Sequence, residues 1–569
     1  MVSRALHISE TRMPTRRIAS AGFTRVCWLC LGSLIILLPA LIWGIPSNRN
    51  LVNHFRFALP FYESLRAGHW YPGWLAESNG GYGDASFRFY PPGTYYLLIL
   101  SRTIAGNWYA GSLITFGLLL ALGSIGIYLW AREFLSANKA MLAGLLYLVA
   151  PYHLTQLYQA SFLAEFAGAA VLPFVFAFAE KICGRRRLQD VTGLAASYAL
   201  LVLTHLPLTV IGSIALGIYV LLRLEKGTKW KTIGSIAIAT ILGLTASACY
   251  WTTMVAELSW IRADNINPDP NVDYRKNFIL STLSPDYLNV WWMNILLLAT
   301  VGLFWPGVAS LGRFVTGAGK KRIATCVVVL FSIFMSTPLS RPLWALIRPL
   351  QETQFPWRWL AITSALCPIM LALSLPFWVR LWHGRTRPVV LLAAGTMAMS
   401  LAFSASHIIR EAQYLNIREF EATLRTIPGT QSVTQWWPAW VNEPLKGMDK
   451  PVDAGARSVS VQTWMPEERI FQVAAGAGDA RIRTFYYPHW KAFSEGKPLA
   501  VHADTDGALI ISLPEQASTV LLEFREPVRV YWAAVATLIG WLVITILALV
   551  GVRRHVHTRI SSTELVPSF

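Results

Sequence analysis

Asp84 stands in a glycine-rich and aromatic stretch, Asn79-Gly-Gly-Tyr-Gly-Asp-Ala-Ser-Phe-Arg88, inside a long polar segment flanked by apolar sequence. A carboxylate beside flexible backbone near a bilayer is suited to acid–base work or to holding a divalent cation. The same segment carries His54 and Arg56, then the aromatics Trp70, Tyr71 and Trp74. Further on, His153, Gln156 and Tyr158 close one apolar run, Glu165 opens the next, and His205 separates two more. Arg341, Arg348 and Arg358 cluster around a later polar break. Ionisable groups in or beside membrane-spanning runs are costly and by default suggest function. Each also has a plain structural role open to it: His205 as a helix cap, Arg358 snorkelling to headgroups, Glu165 paired with a neighbouring span, the aromatics as an interfacial belt. Together, a carboxylate, histidines and arginines suit an anionic phosphate carried on a lipid. Arginine binds its charge, and a base takes the proton of an attacking acceptor. Glycosyl transfer from a polyprenyl-phosphate-linked sugar to a lipid or glycan acceptor is a reaction of that type.

The elements that must position these groups are membrane helices. The chain is 54% hydrophobic and 14% charged with mean hydropathy +0.44, whereas soluble proteins are about a quarter charged. The net charge of +18 is spread over short clusters between apolar runs, the pattern of cytoplasmic loops, which argues against nucleic acid as a partner. The six cysteines lie in or beside apolar runs, and none falls in the late polar segment, so no disulfide framework or zinc site is implied there. Arg4 to Arg25 precede the first apolar run without a clear cleavage site, which predicts a retained anchor with a cytoplasmic N-terminus (1–25). Keeping the basic clusters on one side predicts about twelve crossings, near 26–44, 109–131, 140–157, 163–181, 191–204, 206–224, 232–254, 289–306, 323–337, 357–378, 388–406 and 530–552. The stretch 91–105, which begins Pro91-Pro92, is short and is left out as a crossing.

The expected organisation is a mainly α-helical polytopic transmembrane domain (26–406) with a long first extracytoplasmic loop (45–108). Smaller outer segments lie at 255–288 and 338–356. An extracytoplasmic β-sandwich follows (407–529), then a last transmembrane helix (530–552) and a cytoplasmic tail (553–569). The sandwich is predicted from period-two runs such as Arg457–Thr463, Arg481–Tyr487 and Ser518–Phe524, separated by turn residues. Trp464, Tyr487 and Trp490 are its candidates for stacking on glycan. All these polar groups fall on the outer face of what would be a bacterial inner membrane. That placement disfavours a transporter, whose site is expected near the midplane between repeated halves.

The runs His54-Phe-Arg56, Tyr71-Pro-Gly-Trp74, Asn79-Gly-Gly-Tyr-Gly83 and Phe89-Tyr-Pro-Pro92 resemble the first loop of bacterial membrane proteins labelled 6-pyruvoyl-tetrahydropterin synthase-related, which are similar to the YfhO-like proteins. Tyr152–Tyr158 with Ala164-Glu165-Phe166, Leu203-Thr-His205-Leu-Pro207, Gln354-Phe-Pro-Trp-Arg358 and Tyr486–Lys497 extend the resemblance over most of the chain. Nothing resembles the histidine site of the soluble pterin synthase itself. The resemblance implies the multispan GT-C fold of lipid-sugar-dependent glycosyltransferases, in which a first-loop aspartate is the base or binds a metal. Members usually carry that aspartate four residues before the loop histidine, and this chain has Asn50 there. An amide cannot accept a proton as a carboxylate does. The expectation is therefore Asp84 as base or metal ligand with Glu165 in reserve. His54, Arg56, His153 and His205 would line the pocket, and Arg341, Arg348 or Arg358 would bind the donor phosphate. The alternative is a non-catalytic protein of polysaccharide export that keeps the fold.

Overall fold

The computed structural model describes residues 15–262, 273–280, 290–309, 319–430, 433–441 and 447–564. The expected N-terminus (1–25), the outer segment 255–288 and the tail 553–569 lie partly outside the described residues.

Among the described residues seven helices are long and apolar enough to cross a membrane: Gly22–Trp43, Trp108–Ala131, Leu163–Gly184, Leu206–Arg223, Pro356–Trp382, Arg387–Arg410 and Val528–Arg553. Three helix pairs are apolar enough together but bent at a short break, each a broken span or a re-entrant loop: Ala137–Leu148 with Pro151–Tyr158 (45°), Lys229–Ala246 with Ala248–Trp260 (75°) and Gly319–Ser336 with Pro338–Leu346 (89°). Pro151 and Pro338 sit at two of the breaks, where a residue without an N–H ends one helix and starts another. By length and composition this gives seven to ten spans, against about twelve expected. The difference lies at 191–204 and 289–306, which form the shorter apolar helices Leu188–Thr204 and Asn294–Ala309. Gly93–Ala105 has 13 residues, or about 20 Å, too short for a hydrocarbon core of about 30 Å.

Burial sorts these helices. Pro356–Trp382 has 83% of its apolar window buried and runs through the middle of the body. Arg387–Arg410 (11%), Val528–Arg553 (17%) and Gly22–Trp43 (22%) turn most of theirs outward, as helices facing lipid do. Leu163–Gly184 packs against Trp108–Ala131, Leu188–Thr204 and Leu206–Arg223. Near its end, Glu180 holds Arg223 in a two-bond pair (2.8 and 2.9 Å), with Tyr219 at 2.9 Å and Lys321 at 3.1 Å.

The long first loop is folded. Its helix Arg49–Arg66 is amphipathic and capped by Asn48. A short antiparallel ribbon precedes it, β1 (Ile45–Ser47) with β2 (Gln413–Leu415), and joins the start of the loop to the end of the last body helix. Gly44 makes this possible: its φ is +121°, and a Cβ there would sit 2.2 Å from the Leu415 carbonyl oxygen. The last body helix runs to Arg410, and a second amphipathic helix, Ile417–Thr426, seats Phe420 against Phe55 and Tyr109 (ring centroids 5.2 and 5.8 Å). The segment from 407 is therefore not β-structure throughout.

The sheets begin at β3 (Val452–Asp453) and continue through β4 (Val459–Trp464), β5 (Glu468–Val473), β6 (Asp479–Phe485), β7 (Trp490–Ser494), β8 (Lys497–Leu499), β9 (Val501–Ala503), β10 (Ala508–Ser512) and β11 (Ser518–Phe524). They form a four-stranded sheet in the order β3-β6-β10-β9 and a five-stranded sheet in the order β4-β5-β11-β7-β8, antiparallel throughout. Alternate residues of both sheets meet in one core, among them Phe471, Ile482, Leu509 and Leu522. Trp74, Ala76, Tyr82, Ala85 and Phe89 of the first loop belong to that same core. The loop is thus a wedge between helical body and sheets, pinned by Phe485 N–H to the Tyr82 carbonyl (2.8 Å) and Gly73 N–H to Glu467 (3.0 Å).

Candidate functional site

Glu165 is the third residue of helix Leu163–Gly184, where the unpaired N–H groups of the first turn favour a negative charge. It is buried, at 2% exposure, and both of its oxygens are hydrogen-bonded. Oε1 accepts from the Tyr152 hydroxyl (2.7 Å) and Gln156 Nε2 (2.9 Å), and Oε2 accepts from Arg358 Nε (3.0 Å). Arg358 ends the short turn Pro356–Arg358 and caps the central helix that follows. Its guanidinium also donates to the Thr353 carbonyl and lies 4.7 Å from the Phe355 ring centroid. A cation at a helix N-terminus opposes the helix dipole, and Glu165 offsets that. Residues 193 positions apart thus meet as a buried ion pair at the heads of two apolar helices.

Three histidines surround the pair. His54 Nε2 accepts the Leu163 N–H at 3.1 Å, so Nδ1 carries the proton and donates to the Tyr95 hydroxyl at 2.8 Å. Burial pushes His54 down to about 4, against a smaller opposing effect from a backbone bond at Ser161, so it is neutral at physiological pH. Tyr95 in turn meets Tyr90, which lies within the electrostatic reach of both Arg358 and Glu165. His153 stacks on Tyr147 (4.2 Å between centroids) and reaches Gln156 Oε1 at 3.4 Å, so it joins the carboxylate through that amide. His205 caps helix Leu206–Arg223, its Nδ1 accepting the Leu208 N–H at 3.2 Å. It closes on the Glu165 helix at Gly168, where a Cβ would lie 3.0 Å from its own.

The structure thus unites Glu165, Arg358, His54, His153 and His205. Gln156, which the sequence set beside His153, and Tyr152, Tyr90 and Tyr95, which were not site candidates, complete the cluster. Other expected site residues go elsewhere. Arg56 is two residues beyond His54, about 200° around the helix. It lines a cavity of about 350 Å³ on the far side with Pro60, Glu77, Asn79 and Pro428. Arg341 lies over the Phe278 ring (5.7 Å), and Arg348 is mostly exposed beside Glu352 (3.8 Å). Asp84 is fully buried in the loop wedge. Its Oδ1 accepts from Ser86 N–H (2.9 Å) and Ser86 Oγ (2.5 Å), and its backbone bridges Leu75. These contacts fit a turn-forming residue better than a base. Among the described residues no three His, Cys, Asp or Glu side chains converge to hold a metal.

Asn50 has a use of its own. Its amide donates to the Ala160 carbonyl at 3.0 Å, docking the loop helix onto the turn before Leu163. An aspartate there would set a carboxylate against a carbonyl oxygen. Tyr487 and Trp490 are core residues at 0 and 1% exposure and offer no face for stacking, and Trp464 lies over the Arg469 guanidinium (4.3 Å).

A second constellation escaped the sequence entirely. The buried Glu257 carboxylate receives Arg88 Nε (2.5 Å) and Nη2 (2.7 Å), the Tyr487 hydroxyl (2.8 Å), His489 Nε2 (2.9 Å) and Arg529. Arg88 also reaches Glu526 at 2.6 Å. Loop, helix, sheet and last helix thereby meet on one carboxylate. Its partners lie 169 to 272 residues away, too far for any local motif to reveal.

Residues 87–415, more than half of the chain, match the model of a family described as a 6-pyruvoyl-tetrahydropterin synthase related domain, membrane protein. No curated protein matches. Among solved structures, the chain is similar to the arabinofuranosyltransferase AftD from Mycobacteria (16% identity, 70% of this chain and 27% of that one, TM-score 0.43). It is similar also to ArnT from Cupriavidus metallidurans bound to undecaprenyl phosphate (14%, 70% and 77%, 0.43). A third likeness is to the apo oligosaccharyltransferase of Archaeoglobus fulgidus (12%, 75% and 62%, 0.43). The chain spans about a quarter of the length of the first of these, and no site residue is carried over from any of them.

Proposed function

Since the chain belongs to the 6-pyruvoyl-tetrahydropterin synthase-related family of membrane proteins, we propose that it is a membrane-embedded glycosyltransferase-like protein that uses a sugar carried on a polyprenyl phosphate. It would act at the outer face of a bacterial inner membrane, with about twelve crossings and both termini cytoplasmic, on an envelope glycan or glycolipid acceptor. The observation that carries this is the buried Glu165–Arg358 pair at the helix heads (3.0 Å), beneath the folded first loop. Arg358 supplies the fixed positive charge that a lipid phosphate requires, and a buried site magnifies it. When the donor phosphate takes over Arg358, Glu165 is released to act as base. The acceptor hydroxyl gives its proton to the carboxylate as its oxygen bonds to the anomeric carbon. The sugar–phosphate C–O bond breaks, and its electron pair leaves with the phosphate. Neutral His54 and the tyrosines hold the cluster without adding a competing cation.

The test is to place Glu165→Gln and Arg358→Lys separately in a deletion strain and to measure glycolipid products, with thermal unfolding of the purified variants as the control for folding. Loss of a positioned base lowers the rate about 10²–10⁴-fold. Full complementation by both variants would overturn the proposal.

A second reading, a non-catalytic binding or assembly protein, is favoured by one feature. Glu165 is already satisfied by Tyr152, Gln156 and Arg358, while Asp84 is bonded within its own turn and Asn50 docks the loop helix onto Ala160. Under that reading both folded variants complement.

A further inference from the structure

Strand β5 alternates outward and inward residues, and the inward set is Arg469, Phe471 and Val473. An arginine thus occupies a core position of the five-stranded sheet. It is 0% exposed, and none of its three guanidinium nitrogens has a hydrogen-bond acceptor among the described residues. The guanidinium lies between two indoles, 4.3 Å from the Trp464 ring centroid and 4.9 Å from that of Trp490. The Trp490 Nε1 is likewise buried without an acceptor among the described residues. Burial, and then the like charge of Arg483, pushes Arg469 down to about 9, with Glu77 the opposing charge. Buried charges are ordinarily paired, and orphaned buried donors need an explanation. Three guanidinium nitrogens without an acceptor among the described residues call for one acceptor in particular, an anion.

The surroundings show how it arrives. Trp464 is only half-buried and stands directly opposite Arg469 on β4. That strand is the free edge of the sheet, and its pairing slips between Val461 and Thr463, just before Trp464. An edge residue beside a bulge can turn aside without breaking the ladder behind it. Trp490, in contrast, is fixed in the core against Trp74 and Phe524.

We propose that Arg469, with Trp464 as a movable cover, is a binding site for an anionic saccharide, one bearing a carboxylate or phosphate. The acidic group takes the orphaned Arg469 donors, and the displaced Trp464 indole presents its π face to the apolar side of the sugar ring. The site lies in the sheets and stands apart from the Glu165 centre, so binding can be measured without transfer.

The experiment is calorimetric titration of the full-length protein in nanodiscs with glucuronic acid, glucose 6-phosphate, glucose and inorganic phosphate. Both acidic sugars are expected to bind at least tenfold more tightly than glucose, and glucose 6-phosphate more tightly than phosphate. Arg469→Gln is expected to abolish that preference and Arg469→Lys to retain part of it. Trp464→Ala, at a half-exposed position, keeps the test intact if the arginine variants do not fold. It is expected to bring glucose 6-phosphate down to the affinity of phosphate. Equal binding of glucose and glucuronic acid, no binding of either acid, tighter binding of phosphate than of its sugar ester, or acid binding unchanged in Arg469→Gln or Trp464→Ala would each overturn the proposal.

Discussion

Replacing Glu257 by Gln removes one charge from the point where four parts of the chain meet. The carboxylate takes five donors, from Arg88, Tyr487, His489 and Arg529, while a carboxylate has about four lone-pair sites. The glutamine amide keeps the shape but turns two N–H groups toward groups that are themselves donors. Breaking a buried pair from one side costs about 3–5 kcal/mol, because the partner charge stays buried. Arg88 is 3% exposed and keeps Glu526 as partner, and Arg529 is 45% exposed and can regain water. The lower end, about 3 kcal/mol, is therefore expected, and at about 1.4 kcal/mol per factor of ten this raises the undocked population roughly a hundredfold. Hydrogen exchange reads it directly. The Phe485 amide, bonded to the Tyr82 carbonyl across the seam of loop and sheet, should exchange about a hundredfold faster. Amides of helix Leu163–Gly184 should stay as they were, since local opening spares the body. Unchanged exchange at Phe485, or equal acceleration in that helix, would refute the docking role of Glu257.

Two further outcomes are expected. Because His54 falls from its ordinary 6.5 to about 4, the unfolded chain binds a proton that the folded one refuses between those values. Folded stability is thus full above pH 6.5 and is lost as pH falls toward 4, by about 3 kcal/mol in all. Thermal unfolding from pH 7 to 4 should show that slope, and His54→Gln should flatten it; an unchanged slope would mean that the His54 ring is not buried as a neutral base. Gly44→Ala forces a side chain into a φ of +121° and against the Leu415 carbonyl, at a cost of about 1–3 kcal/mol. Proteolysis in the segment around Gln413 should accelerate as the β1–β2 ribbon opens, and an unchanged rate would show that the ribbon adapts.

Composition and periodicity were enough to establish a helical membrane protein with sheets near its C-terminus, because both follow from local pattern. Runs of apolar residues must leave water, and alternation of period two must bury one face. Arg457–Thr463 and Ser518–Phe524 were legible as strands for that reason, and the breaks at Pro151 and Pro338 left a visible trace as prolines. The resemblance of the Gln354–Arg358 and first-loop motifs pointed to the correct family. Which ionisable groups meet was another matter. His54 and Arg56 are two residues apart and look like one motif, yet helical geometry sends them to opposite faces. Asp84 had the composition of a catalytic loop and proved to be bonded to Ser86, whereas Glu165, held in reserve, found Arg358 193 residues away. Arg469 is a charged residue on the inward face of its strand, and Glu257 drew partners from 169 to 272 residues distant. Local sequence fixes which face a side chain takes. Only the packing of distant helices and sheets decides which charges must be buried together, since that choice is made by the cost of leaving any one of them alone.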